Sequence, residues 1–350
     1  MQKHIRKFLS KKKNYNKIRY RPPQTKTNSN YLFINSQNGN DMTPINTKIT
    51  GVNNENQISF KQNNQNEDSI LNNEIKYVEN LRIQNAVYTG EVLNGKRHGN
   101  GIQVWDDGAK YEGHWENDKS NGYGTFYHTD GDVYQGNWKN NRANGRGVYI
   151  SSDGGRYEGN WNDDIQDGIG EEKWNDGSLY KGNYVMGKKE GYGEYHWSNG
   201  CKYIGYWKDN HFNGMGVYYC NDGKKYIGEY FDNLKEGIGK FFWNDGKVYF
   251  GEFHSDKKEG IGKYTWNDGR VYLGFWKSNK QNGLGRYINP KENKDKFGIW
   301  VEGKRTQWFD DAEEYQNPSS EYFEDYQKIE NFDQNFNDDN FVEEKIVKDI

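Results

Sequence analysis

Cysteine is nearly missing: the 350 residues hold only Cys201 and Cys220. Two thiols make no disulfide framework, and they fit a reducing compartment. Proline is scarce as well, at five residues. The apolar class AVILMFWYC reaches 32%, and Phe, Trp and Tyr make up half of it, at 16%. So little Leu, Val and Ile excludes the core of a doubly wound α/β enzyme or a helical bundle. No run of about 18 apolar residues exists, so no transmembrane helix is expected. The basic start lacks the apolar stretch of a secretory signal, so none is expected. Mean hydropathy is −1.25, yet the many aromatics argue against disorder along the whole chain.

What the chain has is glycine, tyrosine and unevenly spread charge. Glycine numbers 42 and tyrosine 28. Residues 1–87 carry a net charge of +8, residues 88–294 of −1, and residues 295–350 of −10. A neutral middle thus lies between a basic arm and an acidic tail.

The middle is a repeat. Tyr recurs at Tyr88, Tyr111, Tyr134, Tyr157, Tyr180, Tyr203, Tyr226, Tyr249 and Tyr272, always 23 residues apart. With this Tyr as position 0 of nine units, positions 2, 11 and 13 are Gly in all nine. Position 20 is Gly in eight, usually after Asp, as in Asp130-Gly131. Position 4 is aromatic in eight, and Trp in five: Trp115, Trp138, Trp161, Trp207 and Trp276. Asp-Gly and Asn-Gly signal hairpin turns, because such turns need positive φ. Each unit then holds two short strands, Tyr-x-Gly-x-Trp and Gly-x-Gly-x-aromatic-x-Trp. Side chains alternate along a strand, so positions 0, 2 and 4 share a face, as do 11, 13, 15 and 17. One face carries aromatic rings with glycine gaps between them, and rings of one strand are expected to lie over the glycines of the next. The expected fold is all-β: an elongated single-layer antiparallel meander of hairpins, each unit touching mainly its neighbours. At about 4.8 Å per strand, nine units would run roughly 85 Å.

These residues resemble the MORN repeat family over 88–294. A tenth half-unit follows as Gly298-Ile-Trp300-Val-Glu-Gly303, one residue out of phase. The resemblance implies a scaffold or dimerising platform. Relatives sit in ciliary radial-spoke heads, apical and basal cytoskeletal complexes and membrane junctions, and some are fused to lipid kinase or methyltransferase domains.

Four segments are expected: a basic arm at 1–30, a mostly disordered Asn/Gln-rich linker at 31–87, the array at 88–303, and a mostly disordered acidic tail at 304–350. Residues 1–30 hold ten Lys/Arg and no Asp/Glu. Their start resembles an IQ motif, the helix that binds calmodulin-like EF-hand proteins. Gln2, Arg6 and Lys11 take its polar spacing, and Ile5, Phe8 and Leu9 form an apolar stripe. The same residues also read as an arm for anionic phospholipid, and less well as a transit peptide or a nucleic-acid contact. Nucleic acid is not an expected partner. Ile70, Leu71, Ile75, Val78 and Leu81 have helical spacing, which predicts a short helix over 70–81. The tail mixes Tyr315, Tyr322, Phe323, Tyr326, Phe332, Phe336 and Phe341 with acids, as either a solvating segment or a docking segment.

Catalytic patterns are weak. The Gly-x-Gly pairs lack the third glycine and the strand–turn–helix setting of a dinucleotide loop. Gly182–Lys189 imitates a phosphate loop but has Lys189 where Ser or Thr is required. Cys-x-x-Cys and His-Glu-x-x-His are absent, so no zinc site is argued. The expectation is a cytoplasmic, non-enzymatic scaffold of a cytoskeletal or ciliary assembly, without cofactor or metal. The alternative is a peripheral membrane adaptor. The residues expected to meet a protein partner, or a second copy in a homodimer, are Trp115, Trp138, Trp161, Trp207 and Trp276. Packing of these rings over neighbouring glycines is the competing role.

Overall fold

A computed structural model describes residues 74–335. Twenty-one strands, from β1 (Ile75–Ile83) to β21 (Lys304–Trp308), form one open sheet. Each strand pairs antiparallel with the strands before and after it in sequence. The arm at 1–30, with its IQ-like residues, lies outside the described residues.

Each unit makes two different turns. Positions 6 and 7, such as Asn117-Asp118 and Asp232-Asn233, both have positive φ. This is the mirror-image two-residue hairpin turn that suits twisted strands. The Asp-Gly turns are wider. Trp105 N–H donates to Ala109 O at 2.9 Å, and Gly108 alone takes positive φ, at 89°. The Asp before the glycine shapes this loop: Asp107 accepts from Ala109 N–H, and Asp176 accepts from Ser178 N–H. The tightest turns therefore fall at Asn/Asp pairs rather than at Asp-Gly.

Position 7 also ties hairpins together. The side chain of Asn141 accepts from Ser120 N–H at 2.8 Å, and Asn141 N–H donates to Ser120 O at 3.0 Å. The same clasp recurs at Asp164 with Ala143 and at Asn233 with Phe212. Where position 7 is Asn or Asp, one strand edge is thereby stapled to the next; Gly187 keeps only the backbone bond, to Gln166 O.

Two glycine positions show why the lattice is invariant. Position 11 sits in a bulge, where pairing slips between Gly113 and Trp115, and Gly122 there has φ of 85°. Position 13 has ordinary φ but no room. A Cβ on Gly124 would stand 2.4 Å from Tyr111 Oη.

The ends differ from expectation. The helix predicted over 70–81 is not formed from residue 75 on. Ile75–Ile83 is a strand paired with Ala86–Leu93, the first strand of unit one. An open strand edge needs a partner, and this β-branched and aromatic segment supplies one. Residues 70–73 lie outside the described ones. The array thus starts in what reads as linker. At the other end, the extra residue of the tenth half-unit is absorbed by a turn at Pro290–Glu292, capped by the Asn289 side chain. Gly298 then pairs with Gly285 and Trp300 with Gly283, as positions 2 and 4 do elsewhere.

The tail is ordered far beyond residue 303. Lys304–Trp308 closes the sheet, and Phe323–Asn335 forms a helix. Tyr322, Tyr326, Ile329 and Phe332 fall on one side of it and join an apolar cluster on the sheet. Acidic Glu324 and Asp325 in its first turn favour the helix dipole. Residues 336–350 lie outside the described ones.

Candidate interaction faces

The sheet has two faces of different chemistry. The first carries positions 0, 4, 13, 15 and 17. Each position-0 Tyr lies flat over two glycines, and its hydroxyl donates to the carbonyl three residues on. Tyr111 Oη to His114 O is 3.0 Å, and Tyr203 Oη to Tyr206 O is 2.9 Å. Each position-4 ring stands edge-on between its own Tyr and that of the preceding unit. Tyr111 meets Trp115 at 5.0 Å and 84°, and Trp138 at 5.2 Å and 87°. The pattern continues to Tyr272 with Trp276 and Trp300. Such edge contacts contribute about 0.5–1.5 kcal/mol each beyond burial.

Of the two roles expected for the five tryptophans, packing over neighbouring glycines is the one this geometry displays. Trp115, Trp138, Trp161, Trp207 and Trp276 are 0–6% exposed. Each indole N–H donates to the position-13 glycine carbonyl of the unit before, at 3.0–3.2 Å. Both the ring and its polar end are consumed inside the chain, because the glycine row leaves a slot that the ring fills. They form part of the buried cluster of the array.

Unit five varies the rule in a compensated way. Position 15 of unit four is Glu172 instead of an aromatic, and position 4 of unit five is Tyr184 instead of Trp. Tyr184 Oη donates to Glu172 at 2.9 Å in a buried site. Burial and this carboxylate hold the Tyr184 hydroxyl protonated far above its ordinary range.

Position 9 also faces the rings, a feature the sequence reading missed. Lys258 Nζ lies 4.3 Å from Trp276, 4.9 Å from Tyr264, 5.2 Å from Tyr249 and 5.4 Å from Trp243. Burial pushes its amine down to about 8. Lys189 sits likewise over Trp174, Tyr180 and Tyr195, and Arg97 over Trp115. The signal was available, since Arg97, Lys189, Lys235 and Lys258 share one repeat position. Lys189 is therefore a ring-capping residue beside the Met186-Gly187 hairpin, not part of a phosphate loop.

Cys201 is buried, and Cys220 is half-buried beside it. Burial, with Cys201 adjacent, raises the Cys220 thiol to about 11, which disfavours the thiolate form. Among the described residues, no group of His, Cys, Asp or Glu is arranged to hold a metal ion. Among them, too, no helix is long and apolar enough to cross a membrane.

The second face carries positions 1, 3, 12, 14 and 16, and it changes along the array. Units two to five place Glu112, His114, Gln135, Glu158 and Lys181 there, with Tyr123 and Ile169 exposed among them. Units eight and nine place Phe250, Ile261, Leu273 and Leu284 there, all buried. The tail helix is what covers them. Phe332 packs on Phe250 with ring centres 5.7 Å apart, and Ile329 is fully buried. Upstream, Tyr315 stacks on Phe297 at 4.4 Å. Charge completes the fit: Lys263 Nζ is 3.4 Å from Asp333, and Arg286 reaches Asp333 and Glu330 at 3.9 and 3.8 Å. Of the tail aromatics, Tyr315, Tyr322, Tyr326 and Phe332 are thus engaged by the chain itself.

Comparison with protein-family models matches the MORN repeat in nine segments: residues 88–110, 111–133, 134–156, 157–179, 180–202, 203–225, 226–248, 249–269 and 272–294. This repeat is a non-catalytic interaction module. Comparison with curated proteins gives no match. Among solved structures, the G-box domain of the microcephaly protein CPAP is similar at 13% identity and a TM-score of 0.34, over 55% of this chain and 99% of that one. The TCP10 domain of Danio rerio CPAP, solved with a peptide of Danio rerio STIL, is similar at 14% identity and a TM-score of 0.29, over 60% of this chain and 94% of that one.

Proposed function

The chain belongs to the MORN repeat family, and on that premise we propose that its array is a stiff scaffold organising a cytoskeletal or ciliary assembly, radial-spoke-like or cortical. The observation that carries this reading is the unbroken register. Successive hairpins share one glycine row, one ladder of edge-on rings and one set of position-7 clasps. A sheet built this way holds fixed spacing between surfaces far apart in sequence. The settings of MORN relatives support the cytoskeletal and ciliary part. The test is extraction of cells expressing the tagged full chain with non-ionic detergent. Retention in the insoluble cytoskeletal pellet is expected. Release into the detergent-soluble fraction overturns the assignment.

A second reading rests on the arm, whose ten basic and no acidic residues in 1–30 suit anionic phospholipid or a calmodulin-like EF-hand protein. Here the chain is a peripheral membrane adaptor. Flotation with anionic liposomes should then need residues 1–30. Flotation that survives their deletion rejects it.

A further inference from the structure

The tail helix has a direction. Tyr326 packs on Phe297 of the strand Lys294–Val301, and Phe332 packs on Phe250 of Val248–His254. Phe323–Asn335 thus crosses the strands from the tenth half-unit back toward unit seven, and its end lies over unit eight. The strands next in its path are Leu234–Phe242, Lys225–Phe231 and His211–Tyr219. On their second face lie Val217 and Ile227, 1% and 4% exposed. Among the described residues, the hydrophobic side chains packed with this pair are Met215, Tyr219 and Phe242, all on the same sheet face. Same-face neighbours do not by themselves bury a residue of a single-layer sheet. Val148 holds the same repeat position as Val217, between the long side chains of Gln135 and Glu158, and is only half-buried. The equally buried Phe250 and Leu273 lie in the cluster that the tail helix covers. The depth of Val217 and Ile227 therefore calls for a covering layer of their own.

We propose that residues 336–350 of this chain supply that layer, seated on the second face of units seven and six and continuing the contact that the tail helix makes with the sheet. Three observations choose this occupant. The first is position: residue 336 follows directly on the helix end, which points at this strip. The second is length. The three strands span about 14 Å, and the segment covers about 22 Å even at the rise of a helix. The third is chemistry. The segment holds Phe336, Phe341, Val342, Ile346, Val347 and Ile350, with five Asp/Glu against two Lys. Its apolar residues suit half-buried Met215, Ile238 and Phe242, and its acids suit the cationic row. Position 14 is Arg286, Lys263 and Lys240 in units nine, eight and seven. The first two already meet Glu330 and Asp333 of the helix. The strip is then filled from within, and at this end the scaffold presents the outer side of its own tail rather than bare sheet.

The test uses the full chain with the photo-crosslinking residue p-benzoylphenylalanine in place of Phe341, irradiated in dilute solution and read by mass spectrometry. Cross-links within one chain to the peptides holding Met215, Ile238 or Phe242 are expected. Met215→Glu and Ile238→Glu should each cut their yield about tenfold, since each sets an unpaired carboxylate under the segment. Ile346→Asp should do the same from the tail side, without touching the sheet. Tyr123→Glu, on the polar stretch, should leave the yield unchanged. Cross-links scattered along the array, or falling on units two to five, overturn the proposal. So do cross-links between two chains, since a second copy would then be supplying the layer. A yield that ignores all three strip and tail substitutions equally rejects it.

Discussion

The two faces of this sheet follow opposite rules. On the aromatic face the units repeat one plan: Tyr over glycine in all nine, an edge-on ring at position 4 in eight, and in five of these an indole bonded to a glycine carbonyl. On the second face the residues change from unit to unit along the array. It runs from Glu112 and His114 through Tyr206 and Met215 to Leu273 and Leu284. The first face must solve one packing problem nine times, so its residues recur. The second solves no folding problem in common, and its variation is free to encode what is held where. In a single-layer sheet, periodicity marks the interior and departure from periodicity marks the surface that does work.

The comparison breaks most sharply at the tryptophans. Trp161→Ala should cost about 3–5 kcal/mol of local stability, because it empties a slot between Tyr134 and Tyr157 and orphans the Gly147 carbonyl. Ile169→Ala, on the adjacent strand but 68% exposed on the second face, should stay within about 0.5 kcal/mol. Denaturant unfolding followed by circular dichroism compares them. Equal losses would erase the distinction between the faces.

Ile329→Asp comes next. It places a charge at a fully buried site beneath the tail helix. The helix should detach, with amide exchange rising at 313–335 while the protected strands of units two to six keep their rates. A collapse of protection along the whole sheet would show that the second face also builds the array.

Tyr184→Phe should cost about 1–3 kcal/mol by leaving buried Glu172 without its hydroxyl donor. Restoring the usual pair, with Glu172→Phe and Tyr184→Trp together, should recover most of that loss. A double-mutant cycle reads the coupling, and additive effects would refute it.

Lys258 gives the most specific effect. Its folded amine is lowered to about 8 from an ordinary 10.5, so the unfolded chain holds this proton more tightly. Stability therefore rises with pH between about 8 and 10.5 and carries the full burial cost below 8. Lys258→Met should stabilise by roughly 1–3 kcal/mol at pH 7, with the gain fading through that window. A gain that does not change with pH would assign it to packing alone.

How much of this was legible in the sequence depended on repetition. The 23-residue spacing exposed the hairpins, the glycine row and the aromatic face, because each is repeated nine times. Single events were harder. Ile75, Val78 and Leu81 have helical spacing, yet the unpaired edge of unit one draws them into a strand, a long-range demand that local spacing does not contain. The tail's aromatics and acids read as solvating or docking until the floor under Ile329 and Phe332 was visible. The five tryptophans looked available because large rings on a single-layer sheet suggest exposed surface. What closes them off is the glycine slot and the indole-to-carbonyl bond, and both need the register between units. The second-face gradient was present in the residues but lay in positions that do not repeat.

The most direct test of the account is hydroxyl-radical footprinting of the native full chain, read residue by residue by mass spectrometry. Trp115, Trp138, Trp161, Trp207 and Trp276 should be protected, while the half-buried Trp174, Trp197, Trp243 and Trp266 and the exposed Tyr123 and Tyr206 label readily. Labelling of the first five at the rate of the others would mean that the aromatic ladder is open to partners, and would contradict the division of labour between the two faces.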